Sequence, residues 1–153
     1  MPRKLASLPR KILVAVEGSE PSSKAGSITA ARYALKLASV SRSELIAVCV
    51  VQLPQYIEES TRAILRRELK SKGESALDEI SKIASHDKVR FKGETLETMG
   101  SISSTIIEFA SREGVDLIVL GTRPSTASMT KVMLGSVSSG VASNANCPVL
   151  VVR

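Results

Sequence analysis

Glycine and serine residues flank a loop that follows an apolar run of this sequence. Gly121 comes directly after the run VDLIVL, and Gly135 and Ser136 open a segment with helical spacing. A glycine lets the backbone approach an anion closely, and the first turn of a helix offers unpaired N–H groups and the positive end of its dipole. The pattern is typical of phosphate binding. A Gly-Ser pair is also a common helix start, so both interpretations stay open at this point.

Charged and polar side chains near this loop extend the candidate site. Thr122 follows the strand-like run, and Arg123 and Lys131 carry positive charge within the loop. Glu17 follows the first apolar run, KILVAV, and a carboxylate there can accept hydrogen bonds from the vicinal hydroxyls of a ribose. Helix capping or plain solvent exposure is the more common role for such a glutamate.

Catalytic and metal chemistry find little support in the sequence. His86 is the single histidine, and its position beside Asp87 near a predicted helix end indicates a capping or solvated side chain. The segment GSVSSG does not match the G-x-S-x-G nucleophile elbow, and no Cys/His cluster has the spacing of metal ligands. The G-x-x-x-x-G-K-[ST] phosphate loop is also absent. We therefore expect binding rather than catalysis.

Strand-like and helix-like segments alternate along the chain, which would position these residues. Helical spacing separates the apolar runs, and the second helix should cover about residues 57 to 85, with Leu69 on its inward face. Ile102 and Ile106 mark the apolar face of a third helix, which Gly114 should end. This alternation predicts a parallel sheet with helices on both faces. Three strands are fully apolar and should be covered, whereas the alternating third strand should lie at an edge. The predicted strands are 11–16, 44–51, 88–97, 115–121 and 147–153.

Ligands of such sheets bind outside the carboxyl ends of the strands, where the strand order reverses. The ends of the first and fourth strands are therefore the candidate rim of a binding site. Ala15, Val16 and Glu17 end the first strand, and Gly121 and Thr122 end the fourth. The loop between Gly121 and Gly135 then lies on the functional side of the sheet.

Charge alone does not select a ligand. The formal net charge of +6, from 21 basic and 15 acidic residues, fits a polyanionic ligand, a nucleic acid or solubility. Arg62, Arg66 and Lys70 form a stripe at successive i+4 positions, as in some nucleic-acid surfaces. Glutamates are interleaved with the stripe, Glu58 lies four residues before Arg62 as in a favourable helix pair, and no aromatics interleave for base stacking. We interpret the stripe as a solvated helix face and expect no nucleic-acid partner.

Length and composition suit one domain. With 153 residues and 43% hydrophobic residues, we predict a flexible basic N-terminus at residues 1–10 and one α/β domain at residues 11–153. No apolar run approaches the ~18 residues of a membrane span, and the N-terminus lacks the apolar stretch of a signal peptide. Cys49 and Cys147 lie within or beside strand-like runs and are predicted to be buried thiols. We expect a cytoplasmic protein.

Five segments together resemble the universal stress protein family. KILVAVEGSEPSSKA, LIAVCVV, VDLIVLGTR, LGSVSSGV and CPVLVVR occur in order, over about residues 10 to 153. The resemblance implies an open five-stranded parallel α/β sheet with strand order 3-2-1-4-5, of the Rossmann-like kind. One branch of that family binds ATP or AMP through a loop of the form G-x2-G-x9-G-[ST], and many members dimerise through the last strand.

The resemblance assigns this loop residue by residue. Its first glycine is Gly121, and its final pair is Gly135 and Ser136, followed by Val137. The middle glycine is replaced by Pro124, which has no N–H and a φ fixed near about −65°. Losing one charge-assisted hydrogen bond would cost roughly 1.5–3 kcal/mol, or about ten- to a hundredfold in affinity. The resemblance therefore implies an ATP or AMP site that Pro124 weakens.

The resemblance also assigns the remainder of the site. Ala15 would lie beside the adenosine, Glu17 stands where the family usually has Asp, and Cys49 and Val50 fall on the segment that borders the adenine. The family often has a histidine at the position of Cys49. The complete expected site is Ala15, Glu17, Val50, Gly121, Thr122, Arg123, Gly135, Ser136 and Val137.

Two hypotheses follow for the function. The first is a stress-related regulatory protein that binds ATP or AMP, with or without Mg²⁺, and performs at most slow ATP hydrolysis. The alternative is a homodimeric interaction module of the same fold that binds no nucleotide. Both include a homodimer through residues 148–153, because this apolar strand would be an aggregation hazard at an open sheet edge and pairing with its copy covers it symmetrically.

Overall fold

The chain forms one five-stranded parallel sheet with helices between the strands. The computed structural model describes residues 7–16, 21–122 and 134–153, with the backbone alone for residues 21–26. The elements are β1 Lys11–Ala15, α1 Pro21–Ser41, β2 Glu44–Gln52, α2 Glu59–His86, β3 Phe91–Thr98, α3 Ile102–Glu113, β4 Leu117–Gly121, α4 Ser136–Asn144 and β5 Val149–Val152.

The strand order is β3-β2-β1-β4-β5, and every neighbouring pair is parallel. The predicted fold class and strand order are therefore confirmed. In register, Ala15 pairs with Val48, and Val14 pairs with both Ala47 and Val119. The order reverses on either side of β1, with β2 on one flank and β4 on the other, so the carboxyl edge opens at this point.

Alternate residues of the central strands enter two separate core layers. Ile12, Val14 and Cys49 face the layer formed with α1 and α2. Leu13 and Val48 face the layer with α3 and α4, where Phe109 is the largest buried side chain. Both faces of the central strands are covered, which explains their nearly continuous apolar sequences.

The third strand lies at one edge of the sheet, as predicted, and none of its residues is buried. It begins at Phe91 rather than at residue 88, because the preceding residues end helix α2. Lys88 adopts a left-handed conformation with φ of 56°, and its N–H donates to Ser85 O at 3.2 Å while the Val89 N–H donates to Ala84 O at 2.9 Å. These bonds satisfy the last carbonyls of the helix.

The fourth strand likewise begins later than predicted, at Leu117 rather than at residue 115. Gly114 ends α3 in the left-handed region with φ of 68°, as the sequence predicted. The Val115 N–H donates to Ala110 O, and the Asp116 N–H donates to Lys11 O, both at 2.9 Å. Residues 115 and 116 therefore belong to the connection between helix and sheet.

The amino-terminal ends of the strands are closed by hydrogen bonds. One carboxylate oxygen of Asp116 accepts from the backbone N–H groups of Arg10 at 2.8 Å and of Lys11 at 3.0 Å. The buried hydroxyl of Ser43 donates to Pro9 O at 2.6 Å. These bonds fix the chain where it enters β1.

The three basic residues of the predicted stripe on α2 are paired with carboxylates. Arg62 contacts Glu59 at 2.6 Å, so its partner is the residue three positions earlier and the predicted pairing with Glu58 is wrong. Arg66 and Lys70 both reach Glu97 on β3, at 3.0 Å and 3.5 Å. The stripe is thus neutralised by acidic side chains. Of the helices in the described ranges, none is long and apolar enough to cross a membrane.

A cavity at the carboxyl edge of the sheet

A cavity of about 480 Å³ opens at the carboxyl ends of β1, β2 and β4. This volume lies within the range of small-molecule sites. It sits over the point where the strand order reverses, and α1, α2, α3 and α4 each supply part of its wall. The fold therefore places a cavity where ligands of doubly wound sheets bind.

The cavity contains most of the residues that the sequence singled out. Gly121 and Thr122 end β4, while Gly135 and Ser136 open α4. All seven predicted site residues within the described part of the chain line the cavity: Ala15, Val50, Gly121, Thr122, Gly135, Ser136 and Val137. The other two predicted site residues, Glu17 and Arg123, lie outside the described residues, as do Pro124 and Lys131.

One part of the cavity wall is apolar. Val48, Val50 and Leu120 come from the strands, and Ile102 and Ile106 come from the first turns of α3. No charged side chain of the described ranges is part of the lining. An aromatic or aliphatic group can be buried against these side chains without leaving a charge desolvated.

The amino-terminal end of α4 forms another part of the wall. Gly135 is the N-cap residue, with φ of −66° and ψ of 169°. It has no side chain that can accept from the first-turn N–H groups, as serine or aspartate would at this position. Ser136, Val137 and Ser138 supply those N–H groups and also line the cavity. A helix of this polarity favours an anionic group at its start.

Hydrogen bonds hold this end of α4 against the sheet. The Ser138 hydroxyl is buried and donates to Gly121 O at 3.2 Å. The Thr122 N–H donates to Val152 O at 3.1 Å, which extends the pairing of β4 and β5 beyond the last strand residue. The helix start is therefore fixed relative to the strand end that precedes the loop.

Several wall residues were not identified from the sequence as site residues. Leu69 of α2 was assigned to the inward face of its helix, and it lines the cavity as well. Ser27, Gln52 and Ser138 carry no motif that would have identified them. Ile102 and Ile106 were predicted core positions of α3. An apolar helix position gives the same sequence signal whether a core side chain or a ligand covers it.

The ionisable side chains of His86, Arg66 and Glu97 lie away from the cavity. His86 is exposed at the end of α2, with Nδ1 at 3.1 Å from Asp87, in agreement with its predicted surface position. The hydrogen bond from Arg66 lowers the pKa of the Glu97 carboxyl, and the same bond raises the pKa of Arg66. Of the two cysteine side chains, that of Cys49 is buried and that of Cys147 is partly buried. Within the described ranges no group of three or more His, Cys, Asp or Glu residues is arranged to hold a metal ion.

Comparison with known proteins identifies the family. The profile of the Universal stress protein family matches residues 9–153. The chain belongs to this family. Universal stress protein MJ0531 of Methanocaldococcus jannaschii is 34% identical over 150 residues, which cover 96% of this chain and 84% of that protein. Universal stress protein YxiE of Bacillus subtilis is 32% identical over 150 residues, with 94% and 98% covered.

Solved universal stress protein structures share the fold. Universal stress protein UspA from Lactobacillus plantarum is 28% identical and aligns with a TM-score of 0.73 over 97% of this chain and 99% of that one. An Arabidopsis thaliana family protein with AMP bound aligns with a TM-score of 0.69 at 21% identity, over 94% and 91%. A universal stress protein from Archaeoglobus fulgidus in complex with dAMP aligns with a TM-score of 0.64 at 18% identity, over 95% and 99%.

Proposed function

We propose that this universal stress protein is a regulatory protein that binds an adenine nucleotide in the cavity at the carboxyl edge of its sheet. The observation that carries the proposal is the composition of that cavity. An apolar wall and an uncapped helix start face one space of about 480 Å³. Binding, rather than turnover, is the proposed activity.

The apolar part of the cavity suits the base. Val48, Val50 and Leu120 offer aliphatic surface that can pack against the faces of an adenine ring. Burying this surface is favourable by roughly 25 cal/mol for each Å² removed from water. Ala15 at the end of β1 adds little bulk, which leaves room for the sugar between the base and the loop.

The start of α4 suits the phosphate. Its first-turn N–H groups and the Ser136 hydroxyl can donate to phosphate oxygens, and the helix dipole adds a favourable term of about 0.3–1 kcal/mol. Arg123 in the loop adds positive charge, and Glu17 after β1 can accept from ribose hydroxyls. The relatives crystallised with AMP and dAMP support the same ligand class for this fold.

We further propose that AMP binds more tightly than ATP. Pro124 occupies the loop position at which the ATP-binding branch of the family has a glycine, and proline supplies no N–H. The missing donor should weaken contacts to the outer phosphates by about ten- to a hundredfold, whereas the phosphate nearest the α4 start keeps its partners. Mg²⁺ would then matter for ATP alone.

Calorimetric titration of the purified protein with AMP and with Mg-ATP tests both statements. We expect a dissociation constant for AMP below roughly 100 μM, which corresponds to about −5.5 kcal/mol, and weaker binding of Mg-ATP. Pro124→Gly should raise the affinity for Mg-ATP more than that for AMP. If neither nucleotide binds either protein, the interaction module without a nucleotide becomes the better description.

We also propose a homodimer that pairs the β5 strands of two copies. The supporting observation is that β5 lies at an open sheet edge, carries no charge, and has no residue that is fully buried. Pro148 O and Val152 O accept from β4, so by strand alternation the N–H of Val151 faces outward. Such an edge is an aggregation hazard unless a partner covers it.

Val151→Pro tests the dimer, because it removes an outward N–H and keeps the bonds to β4. We expect light scattering at micromolar concentration to give a dimer for the unmodified chain and a monomer for this variant. Val151→Thr, which keeps the N–H, is the matched control and should remain a dimer. A monomeric unmodified chain would contradict the proposal.

A further inference from the structure

Gly73 occupies an unexpected position, in the middle of the 28-residue helix α2. A glycine inside a helix costs about 1 kcal/mol relative to alanine, so its presence calls for a close contact. The structure provides one. A β-carbon on Gly73 would lie 2.8 Å from Cys49 Sγ and 3.3 Å from Cys49 Cβ. The first distance is shorter than such contacts in folded proteins, so Cys49 or the helix would have to move.

Cys49 belongs to two parts of the molecule at once. It is buried in the core layer beneath α2, together with Ala76 and Leu77. It also lines the cavity, next to Val48 and Val50 on β2 and near Leu69 of α2. Cys49 therefore lies against α2 and also borders the cavity.

Space for a displaced thiol exists mainly on the cavity side. The core neighbours of Cys49 are closely packed, as protein interiors are, and Ala47, Ala76 and Leu77 are all buried. A larger residue at position 73 would push Sγ away from α2. The open volume next to Cys49 is the cavity of about 480 Å³, so the sulfur would move toward the ligand.

We propose that Cys49 determines which bases the cavity admits, and that Gly73 keeps its thiol out of the base-binding space. The proposal rests on the proposed function, in which Val48, Val50 and Leu120 cover the faces of the base, and it adds that an edge of the base reaches the part of the cavity beside Cys49 and α2. Cys49 and Gly73 together set how far the cavity extends toward α2. The ligand class is an adenine nucleotide whose ring edges carry no large substituent.

A double-mutant cycle with AMP tests the coupling. Gly73→Ala should lower the affinity for AMP by at least about tenfold, because overpacking displaces the thiol. Cys49→Ala removes Sγ and makes room for the new methyl group, so the double variant should recover most of the lost affinity. Gly93→Ala is the matched control. A β-carbon there would meet Phe91 and Leu77 atoms at ordinary distances of 3.4–3.5 Å, and AMP affinity should not change.

The affinities of base analogues test for base selection, because a purely structural role of Cys49 would not change the preference among them. N6-methyl-AMP and 2-chloro-AMP each add one group to an edge of the ring. Cys49→Ala should improve the affinity of at least one of them relative to AMP by about tenfold, the scale of one methyl-sized group in an apolar pocket. Circular dichroism and thermal melts establish that each variant is folded.

The outcomes separate the two proposals. If the unmodified protein does not bind AMP, the proposed function fails and this inference fails with it. If the unmodified protein binds AMP but folded Gly73→Ala binds it equally well, only the inference is overturned. The same holds if the double variant recovers no affinity, or if Cys49→Ala leaves the preference among the three nucleotides unchanged.

Discussion

The amino and carboxyl ends of the sheet are formed by the same strands. They differ in whether nearby side chains bind the backbone polar groups. At the amino end, Asp116 and Ser43 bind backbone groups of the entering chain, at distances of 2.6–3.0 Å. At the carboxyl end, Gly121 and Gly135 flank an open cavity, and the start of α4 has no capping side chain. One end uses its polar groups to hold the fold together, and the other leaves the first-turn N–H groups of α4 without a side-chain cap, where we propose that a ligand binds.

This difference predicts which substitutions should change the free energy of unfolding without changing ligand affinity, and which should do the reverse. A change at the amino end should alter the free energy of unfolding and leave ligand affinity alone. A change at the carboxyl end should do the reverse, and there the best residue for stability is the worst for binding. The predictions below test this separation, from the largest effect to the smallest.

Gly135→Asp should produce the largest effect, and it should change AMP affinity and stability in opposite directions. Aspartate is among the best N-cap residues, and its carboxylate would occupy the N–H groups that we assign to phosphate. Repulsion between like charges at such a contact costs several kcal/mol, so AMP affinity should fall by about a hundredfold or more. Stability should instead rise by roughly 0.5–1 kcal/mol. Calorimetry and urea denaturation measure the two quantities.

Gly135→Ala is the control for that change. The backbone at this position, with φ of −66°, suits any residue, and apart from the adjacent residues of the chain no atom of the described residues lies within 4 Å of an added β-carbon. We expect nearly unchanged affinity and a loss of stability of about 0.5 kcal/mol, since alanine is a poorer N-cap residue than glycine. A loss of affinity as large as that of the aspartate variant would mean that shape, rather than charge, limits the site.

Asp116→Ala should destabilise the protein by about 2 kcal/mol, because two backbone N–H groups lose a charged acceptor at the partly exposed start of β1. AMP affinity should stay within about twofold, since the change lies at the opposite end of the strands. Asp78→Ala removes a surface carboxylate that contacts only Lys82 among the ion pairs described, at 3.2 Å. As the control it should cost only a few tenths of a kcal/mol.

Ser43→Ala should cost about 1 kcal/mol of stability, measured by urea denaturation. The hydroxyl is buried, donates to Pro9 O at 2.6 Å, and contacts the Ser41 hydroxyl at the same distance. Its loss leaves a carbonyl oxygen with fewer partners. Ser85→Ala on exposed α2 is the control and should have almost no effect. Equal effects of the two would argue against the closure of the amino end by side chains.

The smallest effect concerns pH. The hydrogen bond from Arg66 lowers the pKa of Glu97 in the folded protein, so this contribution to stability is present above the ordinary pKa of a glutamate. It is lost as the pH falls through the lowered, folded-state value. Glu97→Gln should therefore slightly lower the stability at neutral and alkaline pH and flatten the loss of stability on the acid side. The pair is substantially exposed, with about a third of each side chain accessible, so salt should reduce the effect.

Much of the fold could be predicted because its signals are local and repeated. The central strands read as continuous apolar runs, since helices cover both faces, and Gly114 marked the end of α3. The boundaries of β3 and β4 were missed because Lys88 and Val115 bond back to the preceding helices. The amino-acid types at these two positions give no indication of those hydrogen bonds.

Residues of the candidate site could be predicted where the residue type indicates a particular backbone feature, such as a helix start. Gly121 and Gly135 were found because glycine and a helix start are recognisable, and both line the cavity. Leu69 and Ile106 could not be predicted as cavity residues, because an apolar helix position has the same sequence signal in a cavity wall as in a core. A close approach at Gly73 could have been predicted, since a glycine inside a strong helical pattern signals one. Its contact with Cys49 could not, because it depends on how α2 crosses β2.

The most direct test of the account is the affinity for AMP, measured by calorimetry on the unmodified protein and on Gly135→Asp side by side. We predict a dissociation constant below roughly 100 μM for the unmodified protein, and no measurable binding to a variant that unfolds at a higher temperature. Equal AMP affinities of the two proteins would contradict the assignment of the α4 start to the phosphate. No binding by the unmodified protein would contradict the proposed function itself.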